Sequence, residues 1–334
     1  MSFDDTVTIA VDAMGGDHAP GVVLEGVASA LEKDERLEVI LVGPADVVEP
    51  FASAHARCVA QPASEVIAMD EDPTVASHTK KDSSISVGCA AVKDGRAQGF
   101  FSAGSTGAVY AVALTKIGRI RRNKKRARPA LCSVIPSPVA PVVMADIGAN
   151  ADCQPEHLVQ FAQMASIYAE KIVGIESPRI ALLNIGEEDT KGSHFAKEAF
   201  ALMKEGVPGF VGNAEGGDII NATYDVVVTD GFTGNVTLKT IEGTSKALFS
   251  ALKEVMTSSL KAKVGGLALK KDLKELKDSI NADTYGGAPL LGVDGVCLIG
   301  HGSSNATAIE NGVLASADMV RKDVVGLIAE AVGK

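Results

Sequence analysis

Three features of the sequence predict an α/β fold whose mostly parallel sheet is sandwiched by helices. Short apolar strands recur along the chain, each runs into a polar turn rich in glycine, and helical patterns lie between them. Such alternation needs crossover helices that cover both faces of a parallel sheet. The 334 residues are long for one compact core, so one large α/β unit over residues 1–334, or two lobes around one cleft, is expected.

Thr6 to Val11 is β-branched and apolar enough for an interior strand, and it runs into Asp12, Gly15, Gly16, Asp17 and His18. Glycines there permit backbone angles that other residues avoid. Glu38 to Val42 is the next strand, before Gly43 and Pro44, and Gly99 to Phe101 is a short one before Ser102-Ala-Gly-Ser-Thr-Gly-Ala108. Val142 to Ala145 leads into Asp146-Ile-Gly-Ala-Asn150. The clearest helix follows: Pro155 and Glu156 suit a first turn, and Leu158, Phe161, Ala162, Ala165, Tyr168, Ala169 and Ile172 keep helical spacing. Arg179 to Leu183 feeds the turn Asn184 to Gly192, Asp225 to Thr229 feeds Asp230 to Asn235, and Gly295 to Ile299 feeds Gly300 to Asn305. Ile241, Ser245, Leu248, Phe249, Leu252, Val255 and Met256 mark one further helix, and Leu269, Leu273, Leu276 and Ile280 mark another. A helical hairpin is therefore expected over 240–282, protruding at a dimer or membrane surface, with Val264 to Leu269 as its connecting tip.

Composition excludes several function classes. No apolar run approaches the roughly twenty residues of a membrane span, and Met1-Ser-Phe-Asp-Asp5 lacks a signal peptide's apolar segment, so a cytoplasmic protein is expected. Cys58, Cys89, Cys132, Cys153 and Cys297 are scattered with no CxxC pair, which predicts reduced, mostly buried thiols and no zinc site. A net charge of −10 argues against bulk nucleic-acid binding. One segment runs against that balance: Lys116, Arg119, Arg121, Arg122, Lys124, Lys125, Arg126 and Arg128 include no carboxylate between them, and read either as a solvated loop or as a docking patch for something acidic.

Ligands of open α/β sheets bind beyond the carboxyl ends of the strands. The turns of this chain repeatedly combine glycine with Asp, Asn, Ser, Thr or His, which favours a shared site over ordinary loop chemistry. Ser102 to Gly107 sets small residues where a helix starts, so that its N–H groups and hydroxyls suit an anion; capping by Ser105 or Thr106 is the plainer reading. Asp230 to Asn235 is a second turn of this kind. Walker, GxGxxG, GxSxG and HExxH patterns are missing. Of six histidines, His301 and His18 stand out because each lies in a glycine-rich turn.

Val11-Asp-Ala-Met-Gly-Gly-Asp17, Ser102 to Ala108, Asp146 to Asn150, Leu183 to Glu188 with Lys191-Gly192, Gly212 to Gly216, Thr229 to Asn235 and Gly300 to Asn305 together resemble the bacterial phosphate acyltransferase family PlsX, in motif order from Ile9 to Ala308. The chain departs from it at Ser105, where the family usually has Asn, and in a longer, more basic linker before Arg128. The resemblance implies a fold similar to the isocitrate and isopropylmalate dehydrogenases and to phosphotransacetylase, usually homodimeric. It also implies an activity, conversion of acyl carrier protein thioester and inorganic phosphate to acyl phosphate for phospholipid synthesis, by a peripheral membrane protein feeding an integral membrane acyltransferase. By the same resemblance His301, Lys191, Asn235 and Asn305 are the expected catalytic set. Asp12, Gly15, Gly16, Asp17, Ser102, Gly104, Ser105, Thr106, Asp146, Asn150 and Asp230 are expected to bind or orient substrate, with Ser102, Gly104, Ser105, Thr106 and Lys191 at the phosphate.

That chemistry asks little of side chains. A thiol leaves with a pKa near ~8.5 and phosphate is already an anionic nucleophile, so no metal, cofactor or triad is needed. Positioned N–H groups and cations suffice to hold phosphate and to steady the tetrahedral state. Three rival readings stand beside it: a coenzyme A-dependent short-chain phosphate acyltransferase, a dehydrogenase of the related fold lacking its usual signatures, and a non-enzymatic membrane-surface scaffold. Apolar Val264 to Leu269, flanked by Lys261, Lys263, Lys270 and Lys271, suits shallow insertion among anionic headgroups, or else packing within the hairpin or a dimer's helix bundle.

Overall fold

A computed structural model describes residues 6–123, 125–279 and 285–332. Its strands are β1 (Val7–Asp12), β2 (Leu37–Gly43), β3 (Cys58–Pro62), β4 (Gly99–Ser102), β5 (Arg121–Arg122), β6 (Lys125–Arg126), β7 (Ala130–Ile135), β8 (Val142–Ala145), β9 (Ile180–Leu183), β10 (Phe210–Ala214), β11 (Val226–Val228), β12 (Ala288–Leu291) and β13 (Val296–Ile299). All but β5 and β6 form one sheet, in the order β10-β9-β11-β8-β7-β12-β13-β4-β1-β2-β3. The expected α/β class and mostly parallel pairing are borne out.

The sheet has two parallel halves, β10-β9-β11-β8 and β13-β4-β1-β2-β3, and β7 and β12 join them by antiparallel pairing. The join positions the site. β12 pairs Ala288 with Ile299 at the carboxyl end of β13, and two residues later pairs Leu290 with Leu131. Cys132 next to it pairs with Ala145, the carboxyl end of β8. Four residues of strand span only about 10 Å. Two sets of strand-end turns, far apart in sequence, therefore face one another across one short strand.

Strands covered on both faces read as continuous apolar runs. Ile9, Val11, Leu41, Phe101, Val143 and Val228 face one core layer, and Ala10, Ile40, Val42, Phe100, Met144 and Val227 face the other. All five cysteines are free thiols, four of them buried. Burial pushes Cys58 and Cys153 up to about 11 and Cys297 to about 12, leaving them poorly nucleophilic at neutral pH.

Two expectations need correction. The basic segment is more than a loop: Arg121 pairs with Arg126 in a small antiparallel ribbon that turns at Asn123, a residue with positive φ (51°), while buried Ile120 and Ala127 anchor its base. Lys124 lies outside the described residues. Val264 to Leu269 is not a connecting tip either. The helix Gly231–Thr257 ends at Ser258, Ser259 Oγ accepts from Ala262 N–H at 3.1 Å, and this cap starts a separate helix, Leu260–Ala268, followed by Lys270–Ser279. The two glycines read as a turn sit within it. Ile280, expected in the last helix, lies outside the described residues, as do 281–282 of the expected hairpin.

Candidate active site

A cavity of about 1100 Å³ opens where the two sets of turns meet. Of the expected catalytic and substrate-binding residues, Asp17, Gly104, Thr106, Asn235 and His301 line it. Asp12, Gly15, Gly16, Ser102, Ser105, Asp146, Asn150, Lys191, Asp230 and Asn305 do not.

Beneath the first half of the floor lies Asp12, at the end of β1. Its Oδ2 accepts from Ser102 Oγ at 2.6 Å, its Oδ1 from Met14 N–H at 3.0 Å, and Ser102 Oγ in turn accepts from Gly104 N–H at 3.0 Å. Ser102 is fully buried and both its donor and acceptor roles are taken. Burial pushes the Asp12 carboxyl up, against the hydrogen bonds from Ser102 and Met14 and the nearby Ser84 hydroxyl. Gly15 is required by close approach: a Cβ there would lie 2.7 Å from Gly104 N and 2.8 Å from Asp12 Oδ2. Gly16 has positive φ (101°) and lets Asp17 N–H reach Gly302 O at 2.7 Å, which ties the first turn to the His301 turn.

The second half is organised by Asp146, at the end of β8. Its Oδ1 accepts from the N–H groups of Leu131 (3.1 Å), Gly148 (3.1 Å) and Ala149 (2.9 Å), and its Oδ2 from Asn150 N–H and Nδ2–H, both at 2.7 Å. Asn150 also donates to Pro129 O and accepts from Arg128 Nε. The helix Gly231–Thr257 docks here through glycines, because a Cβ on Gly234 would lie 1.8 Å from Asp146 O. Asn235 follows directly and thereby reaches the cavity, beside Gly148.

Helix openings around the floor differ in one respect that matters for anions. Asp230 closes the long helix, accepting from Thr233 N–H at 2.9 Å, and Asn305 closes Ala306–Arg321, accepting from Ala308 N–H at 2.9 Å. Ser105 makes no such cap on the helix Thr106–Lys116. The first N–H groups of a helix lack intrahelical partners, and Thr106 and Gly107 line the cavity, so a helix opening without a side-chain cap borders it.

His301 Nδ1 accepts from Ser303 N–H at 3.2 Å, which puts the neutral ring's hydrogen on Nε2 as a donor. Lys191 instead sits over its own loop, 3.8 Å from Glu188. The cations that line the cavity are Lys239 and Lys246, on the long helix. Lys239 pairs with Glu242 at 2.8 Å, whereas Lys246 has no ion pair among the described residues. Neither was singled out from sequence, nor was Tyr110, one turn beyond Thr106. Spacing held the signal: Leu238, Lys239, Glu242, Ser245, Lys246 and Phe249 follow Asn235 at the intervals of one helix face. Opposite that face Leu131, Val134, Ile135, Pro136 and Pro138 make an apolar wall.

A family model described as "Fatty acid synthesis protein" matches residues 7–327. The phosphate acyltransferase of Lysinibacillus sphaericus is 46% identical over 325 residues, covering 97% of this chain and 98% of that protein. That of Heliobacterium modesticaldum is 45% identical over 327 residues, covering 96% of each. Among solved structures, a phosphotransacetylase from Streptococcus pyogenes superposes with a TM-score of 0.58 at 17% identity over 94% of each chain. The EutD phosphotransacetylase from Staphylococcus aureus gives 0.57 at 14% identity, over 95% of this chain and 94% of that one. The last two likenesses speak for the fold alone.

Proposed function

The chain belongs to the phosphate acyltransferase family, enzymes that pass an acyl group to phosphate, and from that premise we propose that it takes a long-chain acyl group from an acyl carrier protein thioester and releases acyl phosphate for phospholipid synthesis. The observation that carries this reading is the shared cavity: an uncapped helix opening at Thr106 and Gly107, the polar groups of Asn235 and His301, and an apolar wall all face one space. Phosphate at the helix opening attacks the thioester carbonyl, a phosphate oxygen bonds to the carbon, and the thiolate leaves with the C–S electrons. Asn235 and the Nε2–H of His301 are the donors for the oxyanion or the departing sulfur. Asp12, Ser102, Asp146 and Asn150 act one layer below, holding the turns in place.

Acyl phosphate trapped as its hydroxamate, from purified protein, long-chain acyl carrier thioester and phosphate, is the expected product. Hydroxamate from short-chain coenzyme A thioesters alone would sink the donor assignment. None from either, together with tight vesicle binding, would favour the scaffold. Thr106→Val is expected to raise the KM for phosphate roughly tenfold, the worth of one hydrogen bond to a charged group. An equal rise in the thioester KM would move phosphate elsewhere. The exposed Arg121 and Arg126 of the basic ribbon suit the acidic carrier, so kcat/KM for the carrier thioester should fall with salt more steeply than that for a small uncharged thioester.

A peripheral membrane contact and a homodimer belong to the same reading. No helix among the described residues is long and apolar enough to cross a membrane. Leu260 (83% exposed), Val264 and Leu267 (71%) nonetheless offer apolar surface beside Lys261 and Lys263, which supports contact with an anionic surface where a membrane acyltransferase receives the product. Leu267→Glu should weaken flotation with anionic vesicles and leave acyl transfer in solution intact; unchanged flotation assigns the helix instead to a partner subunit.

A further inference from the structure

We infer that the groove between the long helix and β7 is the acyl-chain channel and that Ser245 sets the chain length the enzyme accepts. This deepens the thioester reading just given and rests on it. Two walls of the cavity are each built by successive residues of one segment. On one, Leu131 lies beside β12 and Ile135 and Pro138 follow in order away from it; on the other, the half-buried Ile241, Ser245 and Phe249, four residues apart, come after Asn235 along the long helix.

A helix rises about 1.5 Å per residue, so Ile241, Ser245 and Phe249 stand about 9, 15 and 21 Å from Asn235 along its axis. An extended hydrocarbon advances about 1.3 Å per carbon, from a C–C bond near ~1.5 Å. With the thioester carbon at Asn235, a chain of about seven carbons reaches Ile241, about twelve reaches Ser245 and about sixteen reaches Phe249. Among these, Ser245 has the smallest side chain, so enlarging it narrows the groove at that depth. The polar residues of the stripe, Lys239, Glu242 and Lys246, leave this line open: the first two pair with each other, and Lys246 is exposed.

The test is a series of acyl carrier thioesters of eight to eighteen carbons, assayed by hydroxamate on the full chain and on Ser245→Leu. The variant should keep kcat/KM for chains of up to about ten carbons and lose on the order of a hundredfold at sixteen, at roughly fourfold for each methylene kept from burial. Phe249→Ala, at the far end, should instead raise the longest chains relative to those of sixteen. Equal loss at every length in Ser245→Leu, with no gain in Phe249→Ala, overturns the assignment. An unchanged length profile with an altered oligomeric state overturns it too, and makes the groove a subunit contact. Failure of the parent to make hydroxamate at any length brings down the thioester reading first and this inference with it.

Discussion

Asp12 and Asp146 occupy matching places in the two halves of the sheet, each buried at the carboxyl end of a strand and under the cavity floor, but they are satisfied to different degrees. Asp146 accepts five hydrogen bonds, three to Oδ1 and two to Oδ2. Asp12 accepts two, while the buried Ser84 hydroxyl lies near enough to lower its pKa yet makes no hydrogen bond of good geometry. Burial is the leading influence on both carboxyls and raises both. The difference teaches that the second half is held by its carboxylate, through the loop against which the Asn235 helix docks. In the first half, glycine contacts and strand pairing hold the turns, and the carboxylate tunes them.

Asp146→Asn tests this contrast hardest. An amide can keep the three bonds to Oδ1, but on the other side it turns a donor toward Asn150 N–H and Nδ2–H. Two orphaned buried donors cost about 1–3 kcal/mol each, so a loss near ~3 kcal/mol or more is expected in urea unfolding. Activity should fall with it, since Asn235 is seated on the same loop. A loss below ~1 kcal/mol would show that the glycine contacts alone hold the joint.

Much of this was legible in the sequence, for physical reasons that also mark where reading stops. Apolar runs bounded by glycine placed β4, β8, β9, β11 and β13 to within a residue, because interior parallel strands are apolar on both faces. His157, one of the histidines outside the glycine-rich turns, closes the Pro155–Tyr168 helix by accepting from Gln154 N–H at 3.1 Å. The turns that gather at the cavity were found as well. Which of their residues face it was not: Asp12 and Asp17 look alike in sequence, yet one is sealed under Ser102 while the other lines the cavity. Side chains of Asp, Asn and Ser bond their own turns as readily as a ligand, so composition alone does not separate these roles. Lys239 and Lys246 escape because apolar spacing marks that helix only from Ile241 onward and says nothing of which polar residues share the face of Asn235. Gly265 and Gly266 misled in the other direction, being permissive of a turn but able to sit in a helix capped by Ser259.

Asp12→Asn is the milder probe and sharpens the contrast through pH. The amide keeps Met14 N–H on its oxygen and offers its nitrogen to Ser102 Oγ. The net cost in a neutral medium is expected at about 1 kcal/mol or less. The folded pKa of Asp12 is raised above the ordinary 3.8, so the stabilisation this carboxyl contributes is full below that value. It is lost as pH rises through the folded pKa, because the folded state holds the proton more tightly than the unfolded chain. The variant has no such group. Parent stability minus variant stability should therefore be largest in acid and shrink, or change sign, as urea unfolding is repeated from about pH 4 toward pH 8. A gap that widens with rising pH would mean that the folded state prefers the charged carboxylate. Asp12 would then be as well satisfied as Asp146, and the contrast between the two halves would have to rest on the glycines alone.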